Sequence, residues 1–344
     1  MSITDSHTAN LVRWDPTRPG VYESHFFKAN LPEEQLALWW RFTILHSRSA
    51  APVFQLWSIV FDLSPAGRSF AVRESFTPAQ VRIDRETLET RYGVSTLRHG
   101  ASEGRLDRAG HTVEWDLQWT IPEHAFHHFP YPAMYTGAVP KTKLSSPVLD
   151  GRFSGQVVLD GRRVSFQEAP GMQGHNWGTK NADHWVWVHC NAFRGAPGAV
   201  FEAVSSRIAL GPVDSPQLTI LHFEDAGRRT TINGPAELVR AQSRLDGLTW
   251  RFRNHRGDAG LEGWFGAEAD RFVGLPYDNP DGPGVTCLNS KVASGELRLL
   301  TRVGGVWRLE RVLEADSVAA VEIGTRGDTA GVPVTDLEPA WVPS

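Results

Sequence analysis

The chain has 344 residues, of which 41% are hydrophobic and 22% are charged, and its formal net charge is -4. This composition is typical of a globular protein with room for two domains, and the absence of a basic surplus argues against a nucleic-acid partner. No segment reaches the ~18 consecutive apolar residues of a membrane helix, and residues 1–20 lack the apolar core of a signal peptide. We therefore expect a cytoplasmic protein without an integral membrane segment.

Short runs of alternating apolar and polar residues dominate the chain and predict an all-β fold. Residues 36–44 are rich in aromatic and β-branched side chains, which favours a strand from Leu36 over a continuation of the short helix that Pro32 could begin. Asp160-Gly161 predicts a two-residue hairpin turn, because glycine tolerates the positive φ that such a turn needs, and Asp246-Gly247 is a second candidate. Many short strands between Gly/Pro turns are typical of β-sandwiches and barrels. Further strands are predicted at 54–61, 114–119, 156–159, 164–166, 218–223, 248–252 and 296–300.

The domain boundary is expected at the proline-punctuated segment 211–216, which gives domains 1–211 and 212–344. The proline-rich segment 129–147 is the competing position. The two cysteines, Cys190 and Cys287, lie in apolar runs and do not form a metal-spaced pair, so we expect buried, reduced thiols.

The sequence predicts no metal site and no cofactor. His124, His127 and His128 are close in sequence, but they lie between two prolines where a regular helix is disfavoured, and no carboxylate or thiol completes a ligand set. Zinc-protease, phosphate-loop and nucleophile-elbow motifs are absent from the sequence.

The strongest functional pattern begins at Gly174 and continues through a run of large aromatic and polar residues up to Phe193. In the second half of this pattern, alternation assigns the aromatic and polar side chains, Phe193 included, to one face of a strand and Val186, Val188 and Cys190 to the other. Indole rings, imidazoles and amides on one face are typical of a pocket for a flat or hydrophobic ligand. The residues predicted to bind substrate are Asn176, Trp177, Trp185, Trp187, His189 and Asn191.

Two titratable residues in this region are the predicted proton donors. His175 precedes Asn176-Trp177, and Glu202 lies in an apolar run where burial would raise the pKa of its carboxyl group and keep it protonated near neutral pH. The structural alternatives are a solvent-facing Glu202 and a His175 that makes one hydrogen bond. We expect His175, Trp177 and Trp187 to border one enclosed cavity near the junction of the two domains.

At these residues the chain resembles the tocopherol cyclase family, with similarity over roughly residues 170–325. It also resembles carotenoid 1,2-hydratases and lipocalin-like Diels-Alderases, in which a His-x-Trp pair and a later aromatic-x-acid pair are associated with catalysis. Here His175-x-Trp177 matches the first pair and Val200-x-Glu202 the second, with valine in the aromatic position, and the plant cyclase has lysine where this chain has His175. The segments that carry the resemblance are 176–178, 185–198, 286–287, 295–299 and 318–324.

The resemblance implies two lipocalin-like (calycin-type) antiparallel β-barrel or sandwich domains. It also implies a cofactor-independent cyclase, hydratase or isomerase that protonates a hydrophobic isoprenoid or polyketide-like substrate in an aromatic-lined pocket. Such an enzyme would be an isomerase (intramolecular cyclase) or a hydro-lyase, with a lipophilic small molecule as its partner. The alternative function is a non-catalytic carrier of such a ligand, because a fold by itself does not fix a function.

Overall fold

The computed structural model of the chain describes residues 5–65, 67–207, 209–210 and 213–335. Strands make up 62% of the structure and helices 7%, which confirms the all-β prediction. None of the helices in these described ranges has the length and apolar character needed to cross a membrane.

The chain forms two compact units. The first contains residues 5–181 together with Asp278–Gly284, and the second contains Ala182–Tyr277 and Val285–Thr335. The chain therefore passes from the first unit to the second after Asn181 and briefly returns. The predicted boundary falls on Gly211 and Pro212, which lie outside the described residues.

The first unit is built on a 12-stranded antiparallel sheet with the order β4-β3-β2-β1-β12-β11-β9-β8-β7-β6-β5, and β10 pairs with β11 off this path. The sheet curls until β4 approaches β8, where Glu74 and Arg108 form an ion pair of 2.6 Å. Its strands are β1 (Val21–Leu31), β2 (Leu36–His46), β3 (Val53–Asp62), β4 (Phe70–Phe76), β5 (Val81–Asp84), β6 (Glu89–Tyr92), β7 (Ser95–Arg98), β8 (Ala101–Arg108), β9 (His111–Trp119), β10 (Phe126–His127), β11 (Thr142–Leu159) and β12 (Arg162–Gly178). Its helices are α1 (Ser6–Asn10), α2 (Ala133–Thr136) and the 3₁₀ turns Pro32–Glu34 and Pro78–Gln80.

The second unit is built on a 10-stranded sheet with the order β18-β17-β14-β13-β24-β23-β21-β20-β19, and β22 pairs with β23 off this path. Its strands are β13 (His184–Cys190), β14 (Val200–Arg207), β17 (Leu218–Asp225), β18 (Arg228–Ile232), β19 (Gln242–Asp246), β20 (Thr249–Arg256), β21 (Ala259–Gly266), β22 (Val273–Tyr277), β23 (Val285–Val303) and β24 (Val306–Thr325), and a separate ribbon pairs β15 (Ala209–Leu210) with β16 (Val213–Asp214). Its helices are α3 (Pro235–Arg240) and the 3₁₀ turn Ala269–Arg271.

Both units repeat one topology. In each, the last strand of the unit lies between the first and the penultimate strand: β12 between β1 and β11, and β24 between β13 and β23. Because the last strand of a unit pairs with its first strand, residues that are far apart in sequence become neighbours. The candidate site forms at such a pairing.

The structure confirms the predicted start of β2, the turn at Asp160-Gly161 and the buried cysteines. β2 begins at Leu36, and only the 3₁₀ turn at Pro32–Glu34 precedes it, because the aromatic and β-branched run that follows packs better on a sheet. Asp160 and Gly161 join β11 to β12 with φ of 48° and 86°, the two positive values of a type I′ turn. Both cysteines are buried and neither forms a disulfide, as expected.

Each unit has its own apolar core on one face of its sheet. In the first unit, Phe27, Trp40, Trp119 and Phe153 are buried in that core, and Phe27 stacks on Trp119 with 5.1 Å between ring centroids. Trp115 belongs to the same core, and Trp250 belongs to the core of the second unit.

Candidate active site

A carboxylic acid and an imidazole meet in the interior of the first unit. The pairing of β1 with β12 sets His25 opposite His175 and Glu23 opposite Trp177. Glu23, His25 and Phe27 alternate onto the same face of β1, and Phe27 belongs to the core. Oε1 of Glu23 lies 2.7 Å from Nε2 of His175, and both side chains are at most 2% exposed.

The hydrogen bonds of His175 require a proton between these two atoms. Nδ1 of His175 lies 2.8 Å from the carbonyl oxygen of Ala9, which only accepts, so Nδ1 must carry a hydrogen. Nε2 of a neutral ring is then an acceptor, and its contact with Glu23 forms only if one proton lies between them. Burial lowers the pKa of His175 to about 3 and raises the pKa of Glu23. Both directions assign the proton to Glu23, which donates it to a neutral His175.

The N-terminal segment holds the Glu23 carboxyl group from the other side. The backbone N–H groups of Arg13 and Trp14 donate to its two oxygens at 2.7 Å and 2.5 Å. The preceding helix α1 is capped by Asp5, whose side chain accepts from the backbone N–H of Thr8 at 2.8 Å. This segment therefore fixes the orientation of the carboxyl group, and it encloses the acid between the sheet and the chain's first turn.

His25 lies directly against His175, with parallel rings whose centroids are 4.0 Å apart. Its Nε2 donates to the carbonyl oxygen of Asn10 at 2.8 Å, and burial lowers its pKa to about 3. The ligand-type atoms of Glu23, His25 and His175 lie within 4.8 Å of one another. In stacked rings the nitrogen lone pairs run parallel rather than converge on one point, so this group suits a shared proton better than a metal ion.

The indole ring of Trp177 lies beside this acid pair. Trp177 is partly exposed and lies against His175 with 4.6 Å between ring centroids. Tyr135 of α2 approaches the same indole at 6.1 Å, and the guanidinium of Arg13 lies 5.5 Å from its centre. Trp177 is thus the partly exposed aromatic group beside the acid pair.

Asn176 does not join this cluster, although it was predicted to bind substrate beside its two neighbours. Alternation turns its side chain to the opposite face of β12, where its Oδ1 accepts a hydrogen bond from Ser24. His175 and Trp177, on either side of Asn176, share the inner face because they are two residues apart.

The remaining predicted residues lie in the second unit. Val186, Val188 and Cys190 are in its core, so Trp185, Trp187 and His189 occupy the opposite face of β13, as the alternation predicted. The prediction is wrong for Phe193, because β13 ends at Cys190 and Phe193 turns back into the core. Asn191 is buried just beyond the strand.

Glu202 is buried rather than facing solvent. It lies on β14, opposite His189 on β13, and is 1% exposed. The indole N–H of Trp187 donates to its Oε1 at 2.8 Å. His189 stacks near the same indole at 6.1 Å, and Trp185 stacks on Tyr277 at 6.4 Å. The second unit thus holds its own aromatic and acidic cluster.

A buried ion pair that the sequence did not reveal lies beside this cluster. Nζ of Lys291 donates to Oε1 of Glu322 at 2.9 Å and to Oδ1 of Asn289 at 2.5 Å, and it lies 5.4 Å from the centre of the Trp187 ring. Burial lowers the pKa of Lys291, and the Glu322 carboxylate opposes this shift. Glu322 lies between Trp187 and Asn289 on adjacent strands, so the ladder brings these groups together.

The structure therefore places His175 and Trp177 with Glu23 in the first unit, and Trp187, His189 and Glu202 together in the second. A single cavity bordered by residues of both units stays a prediction. In the histidine cluster at 124–128, His124 is exposed and His128 lies 3.3 Å from the carbonyl oxygen of Leu144.

Comparison with known proteins gives the family. The model of the tocopherol cyclase-like family matches residues 148–325, which is more than half of the chain. The chain belongs to the tocopherol cyclase-like family. The match confirms the resemblance inferred from the residues, and it contains every predicted site residue from His175 to Glu202 as well as Lys291 and Glu322.

Individual tocopherol cyclases align over a short segment only. A protein of Oryza sativa subsp. japonica described as a probable chloroplastic tocopherol cyclase is 37% identical over 78 residues, which is 22% of this chain and 17% of the rice protein. The chloroplastic tocopherol cyclase of Zea mays is 36% identical over 78 residues, 22% of this chain and 16% of the maize protein. An uncharacterized protein of Mycobacterium tuberculosis (strain ATCC 25618 / H37Rv) is 24% identical over 220 residues, 62% of this chain and 65% of that protein. The chain thus spans about a sixth of the length of the plant cyclases.

Two solved structures share the fold of this tocopherol cyclase-like chain. A protein described as an AttH from Nitrosomonas europaea superposes with a TM-score of 0.54 at 13% identity, over 88% of this chain and 91% of its own. Kievitone hydratase from Nectria haematococca superposes with a TM-score of 0.53 at 9% identity, over 94% of this chain and 95% of its own. These coverages span both units and confirm the predicted two-domain lipocalin-like fold.

Glu23 and His25 lie outside the segment that matches the tocopherol cyclase-like family, and they are not among the residues predicted from sequence. A signal for them exists in the sequence. Glu23 and His25 share the strand face of Phe27, Ala29 and Leu31, and a carboxyl group and an imidazole on an otherwise apolar face are unusual.

Proposed function

We propose that this chain is an enzyme of the cyclase, hydratase or isomerase type that protonates a hydrophobic isoprenoid or polyketide-like substrate, without a cofactor. The observation that carries the proposal is the Glu23–His175 contact, which needs one proton and holds it in a buried, neutral pair. A carboxylic acid kept protonated by burial can act as a general acid near neutral pH. Membership of the tocopherol cyclase-like family supports the same class of reaction.

The proposed reaction begins with transfer of this proton to a carbon atom of a substrate double bond. The resulting cation is captured by an oxygen of the substrate, which closes a ring, or by a water molecule, which completes a hydration. The capturing oxygen loses a proton, and that proton returns to the Glu23–His175 pair, so the protein is unchanged. Aromatic faces such as that of Trp177 can stabilise such a cation by ~2 kcal/mol when water is excluded.

Glu202 remains the second candidate for the acid. Its carboxyl group is buried and accepts the indole N–H of Trp187, so it too is oriented beside an aromatic ring. The residues predicted from sequence in the second unit, Trp185, Trp187, His189 and Asn191, would then bind the substrate. If Glu23 is the acid, Glu23→Gln should abolish turnover, and if Glu202 is the acid, Glu202→Gln should do so.

The test uses a prenylated hydroquinone as the probe substrate in deuterated water, with mass spectrometry as the readout. Ring closure by protonation adds one non-exchangeable deuterium to carbon, and hydration additionally raises the mass by one water. We expect Glu23→Gln to lower turnover by ~10²- to 10⁴-fold while binding of the probe changes little, because a general acid acts on rate. Trp177→Phe should be milder, since it keeps an aromatic face.

The matched control is Asp160→Asn, which neutralises a histidine–carboxylate contact of 2.8 Å that lies on the surface. It should leave turnover unchanged. If Glu202→Gln abolishes turnover while Glu23→Gln does not, Glu202 is the acid. If both variants and the wild type bind the probe equally and none turns it over, the protein is a carrier and the proposal is wrong.

A further inference from the structure

The long β23–β24 hairpin ends in an exposed apolar tip. Of the ten large apolar residues that are exposed in the described part of the chain, four lie on this hairpin: Val303, Val306, Leu309 and Val312. Gly304 and Gly305 form the turn with φ of 58° and 83°, so Val303 and Val306 face each other at the extreme end. Exposed apolar side chains gathered at one place usually mark a binding surface.

Arginine residues surround this tip. Arg302 and Arg308 lie on the hairpin, and both are exposed. Trp307 is partly buried under the guanidinium of Arg302, at 6.0 Å, and against His255, with 5.0 Å between ring centroids. The tip therefore combines apolar ends, an amphipathic indole and positive charge.

The neighbouring turn and helix extend the positive charge. Arg240 of α3 donates to the carbonyl oxygen of His255 at 2.8 Å, and Arg256 follows His255 at the end of β20. Burial lowers the pKa of His255, and the guanidinium groups of Arg240 and Arg302 lower it further, which shows that positive charge prevails around it. The Glu237 carboxylate opposes this shift, but less strongly than each of these guanidinium groups lowers the pKa, so the surface around the four arginines is positive.

Ion pairs brace the base of the hairpin and leave its end free. Arg311 pairs with Asp225, and Glu310 pairs with Arg228, so the β17–β18 turn holds the strands of the hairpin from the side. The tip extends beyond these pairs. Leu309 lies three residues along the strand from Val306, or about 10 Å, which is the upper end of the ~5 to 10 Å depth that interfacial segments reach in a bilayer.

We propose that the hairpin tip, Arg302–Leu309, docks the protein on a lipid bilayer that carries anionic headgroups. Val303, Val306 and Leu309 enter the boundary between headgroups and acyl chains, Trp307 lies at the headgroup level, and the four arginines contact the phosphates. The whole chain has a net charge of -4, so this basic end also orients the protein on the membrane. The surface requires neither the proposed reaction nor the acid pair.

The test is flotation of the full chain with vesicles of phosphatidylcholine, with and without phosphatidylglycerol. We expect binding to the anionic vesicles that weakens as salt is added. The double variant Val303→Asp, Val306→Asp should bind ~10-fold more weakly or not at all, because it removes the apolar anchor and adds like charge. Arg302→Gln with Arg308→Gln should remove most of the preference for phosphatidylglycerol.

Val94→Asp is the matched control. Val94 is 69% exposed in the turn between β6 and β7, as Val306 is 62% exposed in its own turn, and its substitution should leave vesicle binding unchanged. Circular dichroism checks that all variants are folded. Absence of wild-type binding to anionic vesicles, or an equal loss in Val94→Asp, would overturn the proposal. So would light scattering that shows a dimer which the Val303→Asp, Val306→Asp variant dissociates, since the tip would then bind a second copy.

Discussion

Replacing Glu23 tests how the buried acid pair is protonated. The carboxyl group makes three contacts: it accepts the backbone N–H groups of Arg13 and Trp14, and it shares a proton with His175. Glu23→Ala removes all three hydrogen bonds, and at ~1 to 2 kcal/mol for each of them the free energy of unfolding should fall by about 3 to 6 kcal/mol.

Glu23→Gln should be much milder if the pair is neutral. The amide NH₂ of glutamine can donate to Nε2 of His175, as the protonated carboxyl group does, and the amide oxygen can accept one of the two backbone N–H groups. One hydrogen bond is lost, so the expected loss is about 1 kcal/mol. A charged pair would lose more stability, because the substitution would also remove the attraction between two buried opposite charges.

The assay is urea unfolding of the two variants, combined with hydrogen exchange of the segment that contains Arg13 and Trp14. Exchange there should accelerate in Glu23→Ala and change little in Glu23→Gln. Asp160→Asn serves as the surface control, because exposed ion pairs contribute ~1 kcal/mol or less. Equal destabilisation by Glu23→Gln and Glu23→Ala would refute the neutral pair.

Three further predictions concern stability. His25 and His175 have folded pKa values of about 3, against 6.5 in the unfolded chain, so the unfolded chain binds more protons between these pH values and stability falls as pH falls. The raised pKa of Glu23 opposes this loss of stability only above pH 4.5, so urea unfolding at a series of pH values should show the steepest loss below pH 4.5. A His25→Gln variant whose stability depends on pH as steeply as that of the wild type would contradict the low pKa of His25. Gly155→Ala should lower the melting temperature strongly, because φ is +141° and an added Cβ would lie 2.1 Å from a carbonyl oxygen of the facing strand; an unchanged melting temperature counts against this close approach. Lys291→Met should lower the free energy of unfolding in urea by about 3 to 5 kcal/mol, because it leaves the carboxylate of Glu322 buried without its cation. Adding Glu322→Gln should restore part of the lost stability. No recovery in the double variant would show that lost packing, not charge, is responsible.

The candidate site could be predicted from sequence only where the relevant information was local. The alternation of Trp185, Trp187 and His189 on β13 was visible because side chains on a strand alternate between its faces. The same rule places Asn176 on the opposite face from His175 and Trp177, yet the motif suggested one group. Phe193 departs from the alternation because the strand ends three residues earlier, whereas the turn residues Gly195, Pro197 and Gly198 come only after Phe193.

The sequence by itself determined the β class, the start of β2 at Leu36, the type I′ turn at Asp160-Gly161 and the family. These depend on propensity, φ preferences and short motifs, which act over a few residues. Only the tertiary structure decided that Glu23 meets His175, across 152 positions of the chain. That contact depends on the register in which β12 closes onto β1, and on burial, which removes water and thereby sets the proton on Glu23. Neither register nor desolvation is encoded near either residue, because both arise from the packing of the whole sheet.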